Sequence, residues 1–283
     1  MWVAIFQAHW KAVNDMKEFR FNWKYLLKKN EFWAAVFIVF AINVFAAGAS
    51  IFTYDSNFAM TMTADYQFVL NNVYVNTLAA VILIIPVALG LVFSDADWLE
   101  EKRNTDILLY TRIDRKKNIL VRFAMSIGVS FLIALMGFTL NYLILFCVYG
   151  SGNRMWYAQD LPYNMIGYPD IITNNLWLSF PFLAVGVEAL VVSMMLGLLS
   201  GLCYTISFYI PRRLLVLMYL LPFLILLVSD IVMTSLNMNA YSLMMLLQPY
   251  FMKNFTPWIV GMIVLPLLSL LFLVPQLLKR DKL

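Results

Sequence analysis

Six stretches of this chain are each apolar for about as long as a helix needs to cross a bilayer, roughly 20 residues. They run from Phe32 to Phe52, Tyr74 to Phe93, Phe123 to Tyr149, Leu176 to Tyr209, Leu214 to Met233 and Trp258 to Leu277. Composition points the same way, with 63% hydrophobic and 13% charged residues, against roughly 45–50% and about 25% in a soluble domain. Such a chain has too little polar surface to wet itself, so lipid is its expected solvent. The expected fold is all-α: six transmembrane helices forming one domain over residues 1–283. The fourth stretch is too long for a simple crossing and contains Pro181. It is expected either to tilt strongly or to begin with a separate short helix at the outer face.

Orientation follows from where the basic residues fall, because cytoplasmic flanks collect Lys and Arg. The segment before the first stretch carries Lys11, Lys17, Arg20, Lys24, Lys28 and Lys29. Between the second and third stretches lie Lys102, Arg103, Arg112, Arg115, Lys116, Lys117 and Arg122. Arg212 and Arg213 sit between the fourth and fifth, and Lys279, Arg280 and Lys282 follow the sixth. Only Arg154 and Lys253 fall on the other side, so eighteen of the twenty basic residues share one face. The simple topology that fits has six spans with both termini in the cytoplasm.

Residues 1–30 do not read as a secretory signal, because the early apolar run is short and its basic residues follow it. Trp2, Phe6, Trp10, Val13 and Met16 recur at steps of three and four, with Gln7, Lys11, Asn14, Asp15 and Glu18 between them. That pattern describes an amphipathic helix suited to the headgroup plane. The outer segments Met155-Trp156-Tyr157 and Tyr163 to Tyr168 are aromatic and amide-rich, as headgroup-level belts are. Asn254-Phe255-Thr256 matches a glycosylation sequon, a short and weak signal. Cys147 and Cys203 fall inside apolar runs and form neither a disulfide framework nor a metal-ligand spacing. A single histidine, His9, excludes intramembrane sites built on two or more histidines.

The loop over residues 94–122 is the most informative segment. It opens with Asp95, Asp97, Glu100 and Glu101, continues through the apolar patch Ile107-Leu108-Leu109-Tyr110, and ends on Arg112, Arg115, Lys116 and Lys117. Acid first and base last complements a helix dipole, so one or two short helices are expected. A Leu and Tyr patch held outside the membrane calls for a protein partner.

On these residues the chain resembles the membrane (permease) subunits of type-2 ATP-binding-cassette transporters. Their corresponding loop reads as an acidic residue, Gly-Thr, several leucines, Pro, Ser-Arg-Arg and a closing Lys. Here Glu101, Thr105, Leu108, Leu109, Thr111, Ile113, Arg115, Lys116, Ile119, Leu120 and Arg122 fall at matching offsets. Asn104 stands where Gly is usual, Arg112 where Pro is usual and Asp114 where Ser is usual. The match covers about two dozen residues, joined by the six-span topology and the N-terminal amphipathic helix.

The resemblance implies a multi-pass protein of the cell membrane, in bacteria, that exports an apolar or amphipathic cargo such as a lipid, drug or antimicrobial peptide. It implies that Glu101, Thr105, Leu108, Leu109, Arg115 and Lys116 meet a separate ATPase subunit, with Arg212 at a second contact. The Tyr209 to Arg213 segment reads equally as a Pro-terminated helix with a positive-inside anchor. No Walker-type phosphate loop occurs in the chain, so ATP and Mg belong to the partner and no cofactor is expected here. A second six-span subunit, identical or related, and the lipid bilayer complete the expected partners; nucleic acid is not among them. The alternatives are a membrane-embedded enzyme, for which convergent nucleophiles, bases or metal ligands are scarce, and a non-transporting sensor or scaffold subunit.

Two acids fall within the apolar stretches. Glu188 lies near the middle of the fourth and Asp230 near the outer end of the fifth. Carboxylates at that depth face a bundle interior or a water-filled pathway; for Glu188 both roles stay open, whereas Asp230 is expected simply to reach outer water. Ala189, Ser193, Gly197, Gly201 and Thr205 recur every four residues, a small-residue face that lets helix backbones approach, within the subunit or between subunits.

Overall fold

The structure is a computed structural model and describes residues 18–52, 64, 68–70, 77–94, 96, 114–150, 180–211, 214–249 and 255–278. All regular structure among the described residues is helical. Residues 18–27 form α1. It is followed by α2 (Asn30–Phe52), α3 (Thr77–Gly90), α4 (Arg115–Tyr149), α5 (Pro181–Ser207) and α6 (Leu215–Ser235). A 3-10 turn at Asn239–Tyr241 and the short α7 (Leu243–Leu246) lead to α8 (Thr256–Leu278).

Five of these helices, α2, α4, α5, α6 and α8, are long and apolar enough to cross a membrane. The second expected span, from Tyr74 to Phe93, appears as the 14-residue α3, about 21 Å long at 1.5 Å per residue. The described residues of this helix alone do not span a hydrocarbon core about 30 Å thick, and residues 71–76 lie outside the described part. The fourth stretch gives a helix that starts at Pro181. Proline suits the first turn, where its missing N–H would have had no intrahelical partner. α4 begins eight residues before Phe123, because Asp114 caps it and no helix breaker intervenes: the Asp114 side chain accepts from the Lys116 N–H at 2.9 Å. Gly150, at φ 69°, ends this 35-residue helix, in a backbone conformation that a side chain disfavours.

Side-chain contacts fix how the helices run. Lys29, before α2, reaches the carbonyls of Leu91 and Val92 just past α3, so α3 runs against α2. α4 runs with α2: Asn141 donates to the Asn43 carbonyl at 2.8 Å and Tyr149 to the Ser50 carbonyl at 3.1 Å. α5 runs against α4, since Gly201 abuts Phe123 and Ile127, Gly197 abuts Ile127 and Phe131, and the Phe182 ring meets Tyr142. α6 starts at the end of the bundle where Gly90 lies against Pro222. At its far end Asp230 and Ser229 hold Ser242 and the Leu243 N–H. α8 returns alongside α5, with Gly261 on Met195 and the Tyr209 hydroxyl donating to the Phe272 carbonyl at 2.8 Å. Each of the six helices α2 to α6 and α8 therefore runs opposite to the one before it.

One end of the bundle gathers α1, the start of α4 and the end of α3. Arg20, Lys24, Lys28, Lys29, Arg115, Lys116, Lys117 and Arg122 all lie there, and they are all of the described Lys and Arg residues. α5 is the central helix: 61% of its apolar window is buried, against 22–39% for the other four. Its partners sit close because small residues line the crossings; lipid gives no hydrophobic drive between helices, so van der Waals contact and interhelical hydrogen bonds hold them. A methyl on Gly197 would stand 2.7 Å from the Ile127 carbonyl oxygen, whereas one on Gly128 meets nothing within 4 Å. Gly197→Ala is therefore expected to cost about 1–3 kcal/mol, and Gly128→Ala to be neutral or stabilising. Unfolding in detergent, followed by helical signal, checks the order; equal stability of the two variants refutes the close crossing.

Candidate functional site

The described part of the 94–122 loop is its two roots, at the basic end of the bundle. Ser94 and Ala96 follow α3, and residues 115–122 are the first turns of α4. Arg115 is half-buried and Lys116 exposed. Glu101, Thr105, Leu108, Leu109 and Arg212 lie outside the described residues, as do Trp2, Phe6, Trp10, Val13 and Met16.

Both roots are tied to the segment that precedes α2. On the α4 side, the Asn22 amide nitrogen donates to Asn118 Oδ1 at 2.7 Å and to the Glu18 carbonyl at 2.9 Å. Asn22 Oδ1 accepts from Arg122 Nε at 2.9 Å. A guanidinium has donors only, so Asn22 must present its oxygen to Arg122 and its nitrogen to Asn118. Asn22, Asn118 and Arg122 expose no surface, and Arg122 is among the largest fully buried side chains. The Arg122 guanidinium also lies over the Tyr25 ring, 5.6 Å from its centroid, within cation–π range. On the α3 side, Lys29 is buried and its ammonium donates to the Leu91 carbonyl at 2.9 Å and the Val92 carbonyl at 3.2 Å. A cation on the carbonyls of the turn just past a helix C-terminus satisfies exposed acceptors and complements the dipole. Residues 22–29 thus clasp the two ends of the loop.

About two helical turns deeper, a hydroxyl junction joins three helices. Ser200 of α5 donates to the Leu89 carbonyl of α3 at 3.1 Å, Ser130 of α4 donates to Ser200 at 2.9 Å, and Ser126 Oγ lies 2.9 Å from Ser200 Oγ. All three serines are buried. In α4, Asn118, Arg122, Ser126 and Ser130 recur every four residues, a polar stripe facing inward. That spacing was visible in the sequence, but reading the first half as loop hid its continuity.

The acids occupy different settings. Glu188 is buried at 1% exposure, seven residues after Pro181 and so about 10 Å from the start of α5, rather than at its middle. It shares a helix face with Val192 and Met195, and Met195 packs on Gly261 of α8. Gly197 and Gly201 lie on the opposite side, against α4. Ser193 is fully buried, and its hydroxyl has no hydrogen-bond partner among the described residues. Asp230, half-buried, accepts from the Ser242 hydroxyl at 2.7 Å. With Ser229 it fastens the turn before α7 to α6, a task the sequence did not suggest. Among the described residues no three His, Cys, Asp or Glu side chains come together as metal ligands.

In comparison with known proteins, no family model matches the chain, and neither a curated protein nor a solved structure is found to match it.

Asn22→Leu strips the acceptor from a buried guanidinium, which is expected to cost about 1–3 kcal/mol. Removing the charge as well, in Asn22→Leu with Arg122→Met, should recover part of that loss, because no buried charge is then left unpaired, although Asn118 Oδ1 still lacks its donor. Denaturation of the single and double variants in detergent measures both; a double variant less stable than Asn22→Leu alone contradicts the clasp.

Proposed function

We propose that this chain is the membrane subunit of an ATP-driven transporter of the type-2 ATP-binding-cassette class, crossing the bilayer six times with its basic end in the cytoplasm. The alternating directions of α2 to α6 and α8 support six passages, with α3 as the short second one. The concentration of described Lys and Arg at one end supports the orientation.

The observation that carries the reading is the clasp of residues 22–29 on both roots of the 94–122 loop. A loop that only set topology would need charge but no rigid seat. Here one root is the unbroken start of a 35-residue helix, so force on the loop passes along α4 to the serine junction and to α5. The other root ends α3, whose Leu89 carbonyl belongs to the same junction. A partner ATPase that seizes Leu108 and Leu109 gains leverage on three helices at once.

In this scheme ATP and Mg stay on the partner, and the chain supplies the pathway and the docking loop. A second six-span subunit completes the transporter. Export of an apolar or amphipathic cargo is the activity proposed, and Glu188, buried in the bundle, is the carboxylate proposed to act on the pathway. Leu108→Glu with Leu109→Glu is expected to abolish co-purification of the ATPase while the membrane protein keeps its helical content and monodispersity. Undiminished association of the double variant counts against this docking role.

A further inference from the structure

α1 carries three distinct rows at steps of four. Glu18, Asn22 and Leu26 are buried against the bundle. Phe19, Trp23 and Leu27 form an exposed apolar ridge, with the Phe19 and Trp23 rings stacked at 6.2 Å. Arg20 and Lys24, with Lys28 in the turn just past α1, form an exposed basic row one residue further round. None of these three side chains forms an ion pair among the described residues. The apolar ridge is not isolated: the Trp33 indole N–H donates to the Leu27 carbonyl at 2.9 Å, joining the ridge to the outer wall of α2. On that wall Trp33 and Phe37 are exposed, Phe37 at 72%. α2 is one of the helices long and apolar enough to cross the membrane, so this wall faces hydrocarbon. An apolar ridge continuous with a lipid-facing wall, edged by a row of cations, matches the boundary between acyl chains and headgroups.

We infer that Arg20, Lys24 and Lys28 form a binding row for anionic phospholipid headgroups, with Phe19, Trp23 and Leu27 seated among the upper acyl carbons. Charge complementarity selects the occupant: three exposed cations at the headgroup level, unpaired among the described residues, attract acidic lipids, each contributing roughly a five-fold gain in affinity. Aromatic rings beside them are the side chains that settle at this depth. The buried row of the same helix holds Asn22, so lipid bound on the outer rows steadies the helix that clasps Arg122. The lipid row uses none of the residues proposed to meet the ATPase, so either reading can fail without the other.

The test is native mass spectrometry of the full chain in mild detergent, titrated with dioleoylphosphatidylglycerol or dioleoylphosphatidylcholine. Wild type is expected to retain the anionic lipid at least about ten-fold more strongly than the zwitterionic one. Arg20→Gln with Lys24→Gln and Lys28→Gln should abolish that preference. The charge-preserving set Arg20→Lys, Lys24→Arg and Lys28→Arg should keep it, which separates charge from folding. Neutralising Arg115, Lys116 and Lys117 instead should leave it largely intact. Equal retention of the two lipids by wild type, or an unchanged preference in the neutralised α1 variant, overturns the assignment.

Discussion

The Arg122 guanidinium has donors only, and it exposes no surface; the packing at this end of the molecule must therefore supply what water would. Asn22 provides the acceptor, Tyr25 the ring face, and Asn118 holds Asn22 in the one orientation that serves Arg122. Because Asn22 and Tyr25 belong to α1 while Asn118 and Arg122 belong to α4, satisfying one cation fixes α1 on α4. Lys29, a few residues on, then fixes the same segment on the end of α3. The burial of two cations thus sets how the first three apolar helices begin and end relative to one another.

Below that polar layer the constraint changes. Helices in lipid gain little from burying apolar area against one another, and they associate through close packing and satisfied polar groups. Gly90, Gly137, Gly197, Gly201 and Gly261 each sit where a side chain would strike a neighbouring helix. The hydroxyls of Ser126, Ser130 and Ser200 with the Leu89 carbonyl close a short network at the point where α3, α4 and α5 meet. Asn141, near the opposite end, ties the Asn43 carbonyl to the Val69 N–H. α4 therefore carries polar fastenings along its length, and this makes it a rigid lever for whatever acts on its first turns.

Much of the architecture was legible because apolar run length alone identifies helices such as α2, α6 and α8. The short α3 was not, since apolar residues beyond a helix end count toward a run without being helical. Arg115 to Arg122 read as loop because charge dominated the pattern, yet Asp114 is a good cap and nothing afterwards breaks a helix. Within the fourth run the helix starts at Pro181, a start set by the backbone and not by hydropathy. Counted from that start, Glu188 falls in the first third of α5. The clasp was harder: Asn22 and Arg122 are 100 residues apart, and nothing local pairs an exposed-looking asparagine with a loop arginine. The patch at Leu108 and Leu109 lies outside the described residues, so its role rests on sequence and on the seating of the loop roots.

Purification of the chain in mild detergent from its native host, with mass spectrometry of whatever co-elutes, tests the proposed transport role most directly. A stoichiometric ATPase subunit carrying a Walker-type phosphate loop is the predicted companion. An intact, folded chain that elutes without any such subunit contradicts the account and leaves the clasped loop as a structural element of a stand-alone membrane protein.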